Sequence, residues 1–308
     1  MKAQKTTFIA TVLNEEKTIR KFLLSIFNQT IQPDEIIITD GGSKDKTVEI
    51  IKKFSKENKY PIVVLEKKGN RAVGRNFAIE KAKNDIIFCS DAGCVLDKNW
   101  MKNISKPLEN KKVEVVAGYY RGKATNVFQK CIIPYVLVMP DKVTPKSFLP
   151  ATRSMVFKKS IWKKVGGFPE KYSHNEDYVF AKRLKKIGAI IIFVESAFVY
   201  WIPPQNLFKT YRMFLRFAYG DMEAGIIRPK VILIFLRYFF AIALFSFGIH
   251  YHSLFILYSL FFILILYLIW SINKNYRYVS DIRALYVLPF LQIVSDVAVL
   301  TGTILGLI

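Results

Sequence analysis

The chain has 308 residues, 52% hydrophobic and 15% aromatic, with 46 Lys and Arg against 24 Asp and Glu for a net charge of +22. So much apolar and aromatic side chain excludes a disordered chain, and three cysteines (Cys89, Cys94, Cys131) are too few for a disulfide-stapled secreted module. High apolar content with strong positive charge leaves a nucleic-acid binder or a protein at a membrane surface.

The N-terminal stretch MKAQKTTFIATVLNEE is too short in apolar residues for a signal peptide and predicts a strand over residues 8–13. Ile19, Phe22, Leu23, Ile26 and Phe27 then recur at the spacing of an amphipathic helix. Pro33 interrupts, and residues 35–39 predict a second strand that ends at Asp40-Gly41-Gly42-Ser43. A helix through Val48, Ile51 and Phe54, a strand at 62–65, and a basic loop and helix over 67–83 follow. A fourth strand at 85–90 ends at Asp91-Ala92-Gly93. Such strand–helix repeats predict an α/β domain with a mostly parallel sheet, whose ligands bind beyond the carboxyl ends of the strands. Asn14, Asp40 and Asp91 each stand at such an end. Singly each has a plainer reading as a turn or loop-capping residue; together they favour a ligand edge.

Residues 121–150 are apolar and broken by Pro134, Pro140, Pro145 and Pro150, which predicts a loop over the site. SMVF at 154–157 is strand-like, and Glu176-Asp177 opens a predicted helix over 178–186, where acids complement the helix dipole. Only six of the last 78 residues are charged, and three apolar runs (231–249, 254–272, 285–308) approach the length of a membrane-spanning helix. The short connection 250–253 lacks Lys and Arg, whereas 273–284 carries Lys274, Arg277 and Arg283. The positive-inside rule therefore predicts a multi-pass membrane protein with its large basic N-terminal region cytoplasmic and its chain terminus outside. Arg237 lies about two turns into the first span, placed to snorkel back, and Asp296 lies mid-span in the third, where a functional or a helix-contact role is expected. The predicted organisation is 1–204, 205–230 as an amphipathic juxtamembrane segment, and 231–308.

Six segments occur in the order found in family 2 glycosyltransferases. They are TVLNEEKTIRKFLLSIFNQT (11–30), PDEIIITDGGSKDKT (33–47), GNRAVGRNFAI (69–79), DIIFCSDAGC (85–94), RSMVFKKSIWKKVGGFPE (153–170) and NEDYVFAKRLKKIG (175–188). The chain resembles that family over roughly residues 7–225. The resemblance implies a GT-A fold, a Rossmann-like sheet that binds a UDP-, GDP- or dTDP-linked sugar. It implies that Thr11 and Glu15 line the nucleotide edge, that Asp40 contacts the base or ribose, and that Arg71 or Arg75 serves the diphosphate. Asp91 opens the family's Asp-x-Asp metal motif, and Glu176-Asp177 resembles its acceptor-side motif with Asp177 as general base. Arg153, just before the strand-like SMVF, is expected either to line the acceptor side or to serve a plain structural role. Segment 205–225 resembles the juxtamembrane piece of membrane-bound members.

Two departures matter. The second metal carboxylate is replaced by Gly93, so Mg²⁺ or Mn²⁺ would be held by Asp91 with waters and the donor's phosphates, more weakly than usual. No downstream His ligand stands out, His174 fitting a loop residue and Cys94 a packing thiol better than a ligand. The Gln-x-x-Arg-Trp signature of processive synthases is absent, which disfavours a long-chain polymerase. The expected function is an inverting glycosyltransferase acting on a lipid-linked or membrane-proximal acceptor in surface glycan or glycolipid synthesis. The alternatives are a polyprenyl-phosphate glycosyltransferase and a catalytically impaired membrane scaffold. A nucleic-acid partner is not expected, because no recognition motif accompanies the charge.

Overall fold

The computed structural model describes residues 5–308, so the first four residues of the N-terminal stretch lie outside the described part. The described residues form two compact units, one of residues 5–123 and 138–202, the other of 124–137 and 203–308.

The first unit begins with β1 (Thr6–Val12), α1 (Ile19–Phe27), β2 (Glu35–Asp40), α2 (Thr47–Glu57), β3 (Val63–Glu66), α3 (Arg71–Lys81) and β4 (Ile86–Cys89). It continues with β5 (Cys94–Leu96), α4 (Trp100–Ser105) and β6 (Val115–Gly122). After α5 (Val127–Val136) of the other unit come β7 (Met155–Lys158), α6 (Lys159–Lys164), α7 (Glu176–Lys186) and β8 (Ile191–Trp201). The eight strands form one sheet in the order β3-β2-β1-β4-β7-β6-β8-β5. Its first four are mutually parallel, while β7 is antiparallel to both β4 and β6, so the sheet is mixed from its centre onward. The alternation read in the sequence belongs to the parallel half.

β4 is apolar throughout and β1 carries the apolar run Phe8–Ala10, because both faces of the sheet are covered there. Phe8 points to one face and meets Phe22 of α1 and Trp100 of α4, at ring separations of 6.0 and 6.1 Å. Ile9, one residue on, points to the other face and joins the core of Ile79, Phe157, Phe168 and Phe180. Phe168 and Phe180 stack at 4.1 Å, fixing α7 to the loop before it.

The second unit holds α5, α8 (Leu207–Glu223), α9 (Pro229–His250), α10 (Leu254–Val279) and α11 (Ala284–Leu307). α5 corrects the reading of 121–150 as a loop. Asn126 caps it by accepting from the Gln129 amide at 2.9 Å, and Pro134 sits so near its end that losing one amide donor does not break the helix. The helices α9, α10 and α11 are long and apolar enough to cross a membrane, with mean hydropathies of 2.2, 2.5 and 1.8. α8 packs on α11 at two glycines, for a Cβ at Gly302 would lie 2.3 Å from the Leu215 carbonyl oxygen and one at Gly306 2.8 Å from that of Tyr219. Arg237 does not snorkel. Its guanidinium pairs with Asp296 at 2.7 Å, and the same carboxylate accepts from Tyr238 at 3.1 Å, Tyr267 at 2.5 Å and Gln292 at 3.0 Å. A buried carboxylate among apolar helices draws in its cation, because neither charge has water available there.

Candidate active site

The site lies at the carboxyl ends of the parallel strands, and α3 organises it. Asn70 caps α3 by accepting from the Val73 amide, and its Nδ2 donates to the carbonyls of Glu170 and Tyr172 at 2.6 and 2.9 Å. Asn76, one helical turn on from Ala72, donates to the Phe168 carbonyl and to Glu170, each at 2.8 Å. Its Oδ1 accepts from the Phe168 amide and the Trp162 indole, at 2.9 and 3.0 Å. The loop it grips turns at Gly166 and Gly167, with φ of +77° and +70°, a conformation that side chains disfavour. Through these bonds α3 sets the loop that delivers α7. Neither asparagine stood out in the sequence; the only signal was their place beside Arg71 and Arg75 in GNRAVGRN.

Arg75 is 2% exposed and bridges two carboxylates, with Nη2 on Asp91 at 2.9 Å and Nη1 on Glu176 at 2.5 Å. The structure thus brings together the end of β4 and the start of α7, 85 positions apart in sequence. Of the two arginines considered for a diphosphate, Arg75 is committed to this bridge, while Arg71 is exposed on the first turn of α3. Burial alone would raise the Asp91 carboxyl, but the guanidiniums of Arg75, Arg71 and Arg153 outweigh it and hold it below the usual carboxylate range. Asp177 moves the other way. Burial and then the Glu176 charge push it up, and Arg75 only partly opposes them. Neighbouring carboxylates pushed apart in this way are the arrangement that divides an electrostatic role from a proton-accepting one.

The other expected residues are placed less alike. Thr11, half-buried on β1, touches α3 so closely that a Cβ at Gly74 would lie 2.8 Å from its methyl group. Glu15 is drawn into the start of α1, accepting from Thr18 Oγ1 at 2.5 Å while its amide donates to Thr47. Asp40 is buried and accepts from the Gly42 and Ser43 amides, both at 2.9 Å, and from Ser43 Oγ at 2.5 Å. Its turn-forming role is thereby met, as is that of Asn14, whose Oδ1 accepts from the Lys44 amide at 2.8 Å. Arg153, half-buried, sits with its guanidinium 5.6 Å from both the Tyr120 and Trp201 ring centres.

Among the described residues no three His, Cys, Asp or Glu side chains converge as a metal cage. Cys94 is buried with its thiol pushed up by that burial, unlike a thiolate ligand, and His174 Nδ1 is hydrogen-bonded to Ser173 at 2.8 Å. Asp91 gives Oδ1 to Arg75 and has no recorded bond at Oδ2 among the described residues. One half-open carboxylate fits a divalent cation whose remaining ligands are phosphates and water.

With fold and site in view, residues 7–165 match the sequence profile described as Glycosyl transferase family 2, and residues 113–279 that described as Glycosyl transferase family group 2. The first match covers more than half of the chain, which therefore belongs to glycosyl transferase family 2. The poly-beta-1,6-N-acetyl-D-glucosamine synthase of Staphylococcus epidermidis is 26% identical over 225 residues, covering 70% of this chain and 54% of the relative. The synthase of the same name from Staphylococcus aureus strain COL is 25% identical with the same coverage. The chain thus spans about half the length of the curated relatives it matches. Among solved structures, the mannosyltransferase PcManGT from Pyrobaculum calidifontis, in complex with GDP-Man and Mn²⁺, superposes at a TM-score of 0.65 with 18% identity, over 99% of this chain and 87% of that one. S. aureus TarS 1-349 in complex with UDP-GlcNAc gives 0.52 with 18% identity, over 71% and 66%. At these identities the likeness establishes the GT-A fold.

Proposed function

We propose that this chain is a glycosyltransferase that moves a sugar from a nucleotide-sugar to a lipid-linked or membrane-proximal acceptor, with inversion, in surface glycan or glycolipid synthesis. The observation that carries the reading is the Arg75 bridge, which holds Asp91 and the Glu176-Asp177 pair in one cluster with oppositely displaced acidities. The nucleotide-sugars named with the two solved structures support the donor class. The synthases matched in sequence support a cell-surface product. The three apolar helices support a multi-pass protein, and the basic connection 273–284 supports a cytoplasmic site.

In this reading the turns built by Asn14, Glu15 and Asp40, with Thr11 beneath them, shape the nucleotide edge. Asp91 would hold a Mg²⁺ or Mn²⁺ ion, which when bound would supply positive charge to neutralise the diphosphate as it leaves. Arg71 adds an exposed cation on the same side. Asp177 takes the proton of the acceptor hydroxyl as its oxygen bonds to the anomeric carbon and the bond to the diphosphate breaks. A single displacement inverts that carbon. Glu176 and Arg75 act as positioning residues, and Arg153 belongs to the acceptor side.

The test is Asp177→Asn in the full-length protein in detergent. Transfer is expected to fall by about 10²- to 10⁴-fold, while calorimetry with Mn²⁺ still detects the nucleotide-sugar. Transfer at the wild-type rate would overturn the base assignment, and would favour an acceptor that is already an ionised phosphate.

A further inference from the structure

Of the guanidiniums whose charge reaches Asp91 at the end of β4, Arg75 and Arg153 are held in opposite ways. Arg75 is neutralised by two carboxylates. Arg153 has no ion pair, and no hydrogen bond from its guanidinium, with any described residue; what holds it are the faces of Tyr120 and Trp201. Aromatic faces orient a cation without cancelling its charge or occupying its in-plane N–H donors. The backbone beneath it is rigid. The Arg153 carbonyl accepts from Ser90 Oγ at 2.8 Å, and Ser154 Oγ accepts from the Trp100 indole at 2.7 Å. Ser154 also fits so tightly against β6 that a Cβ at Gly118 would lie 2.0 Å from its Oγ. The antiparallel ladder of β4 and β7 ends at the Cys89–Met155 pair, and Asp91 and Arg153 each lie two residues past that pair, at the same end of the ladder. A fixed arginine with its donors unused, beside the carboxylate at the strand end, has the geometry of an oxyanion receptor.

We propose that Arg153 binds a phosphate group of a substrate, donating in-plane N–H bonds to its oxygens while Tyr120 and Trp201 hold the guanidinium in place. Two substrates can bring that chemistry: the donor's diphosphate, or a phosphate on a lipid acceptor. The inference rests on the transferase reading only for the identity of the phosphate carrier, not for the binding itself.

The experiment measures inorganic pyrophosphate, UDP, GDP and a polyprenyl phosphate against the full-length protein in detergent, for wild type, Arg153→Lys and Arg153→Gln. Arg153→Gln is expected to weaken at least one of these probes about tenfold or more, with Arg153→Lys between it and wild type and the ligand-free melting temperature unchanged. Loss for pyrophosphate, UDP and GDP but not for uridine or guanosine identifies the donor diphosphate. Loss confined to polyprenyl phosphate, measured against the matching polyprenol, identifies the acceptor. Wild-type affinity of Arg153→Gln for all four probes overturns the proposal, as does an equal loss for the nucleosides or the polyprenol, which would mark Arg153 as only structural. Failure of the wild-type protein to bind UDP and GDP would instead count against those two donor classes, and the pyrophosphate and polyprenyl phosphate arms then decide Arg153 alone.

Discussion

Each unit buries an arginine–carboxylate cluster, and the two close differently. In the helical unit one carboxylate, Asp296, collects Arg237, two tyrosine hydroxyls and the Gln292 amide. Four donors converge on it, and the charge is spent on joining α9, α10 and α11. In the sheet unit Arg75 satisfies Asp91 and Glu176, but among the described residues neither Asp177 nor Arg153 makes an ion pair of its own. A cluster that satisfies itself fastens helices, whereas one that keeps a base and a cation in reserve has something to offer a substrate.

The comparison breaks most sharply at Arg75. Arg75→Met preserves the length of the side chain but leaves Glu176 buried and Asp91 partly buried without their counter-charge. The expected loss is about 3–5 kcal/mol of folding stability, read from denaturant unfolding of the full chain, together with loss of transfer. Pairing it with Glu176→Gln should recover part of that stability, since one uncompensated charge is then gone. A change well below 1 kcal/mol would mean that the bridge does not hold β4 and α7 together.

Asp296→Asn tests the other cluster, with a smaller expected effect of about 1–2 kcal/mol. An amide keeps an acceptor oxygen for the same donors, so the contacts of the carboxylate are only partly lost. Thermal unfolding should shift while nucleotide affinity stays at the wild-type value. Loss of nucleotide binding in Asp296→Asn would show that the helical cluster is not merely a fastening.

Much of the sheet unit was legible because its signals are local. The period of Ile19–Phe27, the strand ends at Asp40 and Asp91, and the order of six motifs all lie within short windows. The mixed half was harder to read, because β7 runs antiparallel to β4 and β6 while β6 and β8 pair in parallel across a long stretch of sequence. α5 was missed because its prolines outweighed a cap at Asn126 that only the fold completes. At the site, charge type was readable but commitment was not. Nothing in GNRAVGRN says that Arg75 faces two carboxylates while Arg71 is exposed, and the span positions of Arg237 and Asp296 did not reveal that they pair.

The smallest expected effect concerns the reserve itself. Asp177 must be ionised to accept a proton, so transfer should fall as pH drops through its raised pKa, giving an acid limb above the ordinary carboxylate range. After burial, the Glu176 charge is the next contribution to that rise. Glu176→Gln removes this repulsion while Arg75 keeps Asp91 as a partner, so Asp177 should lose its proton more easily. The acid limb of the transfer rate is then expected to move to lower pH, with the plateau reduced only modestly. A limb that stays in place or moves to higher pH would show that the Glu176 charge does not raise the acidity range in which Asp177 titrates.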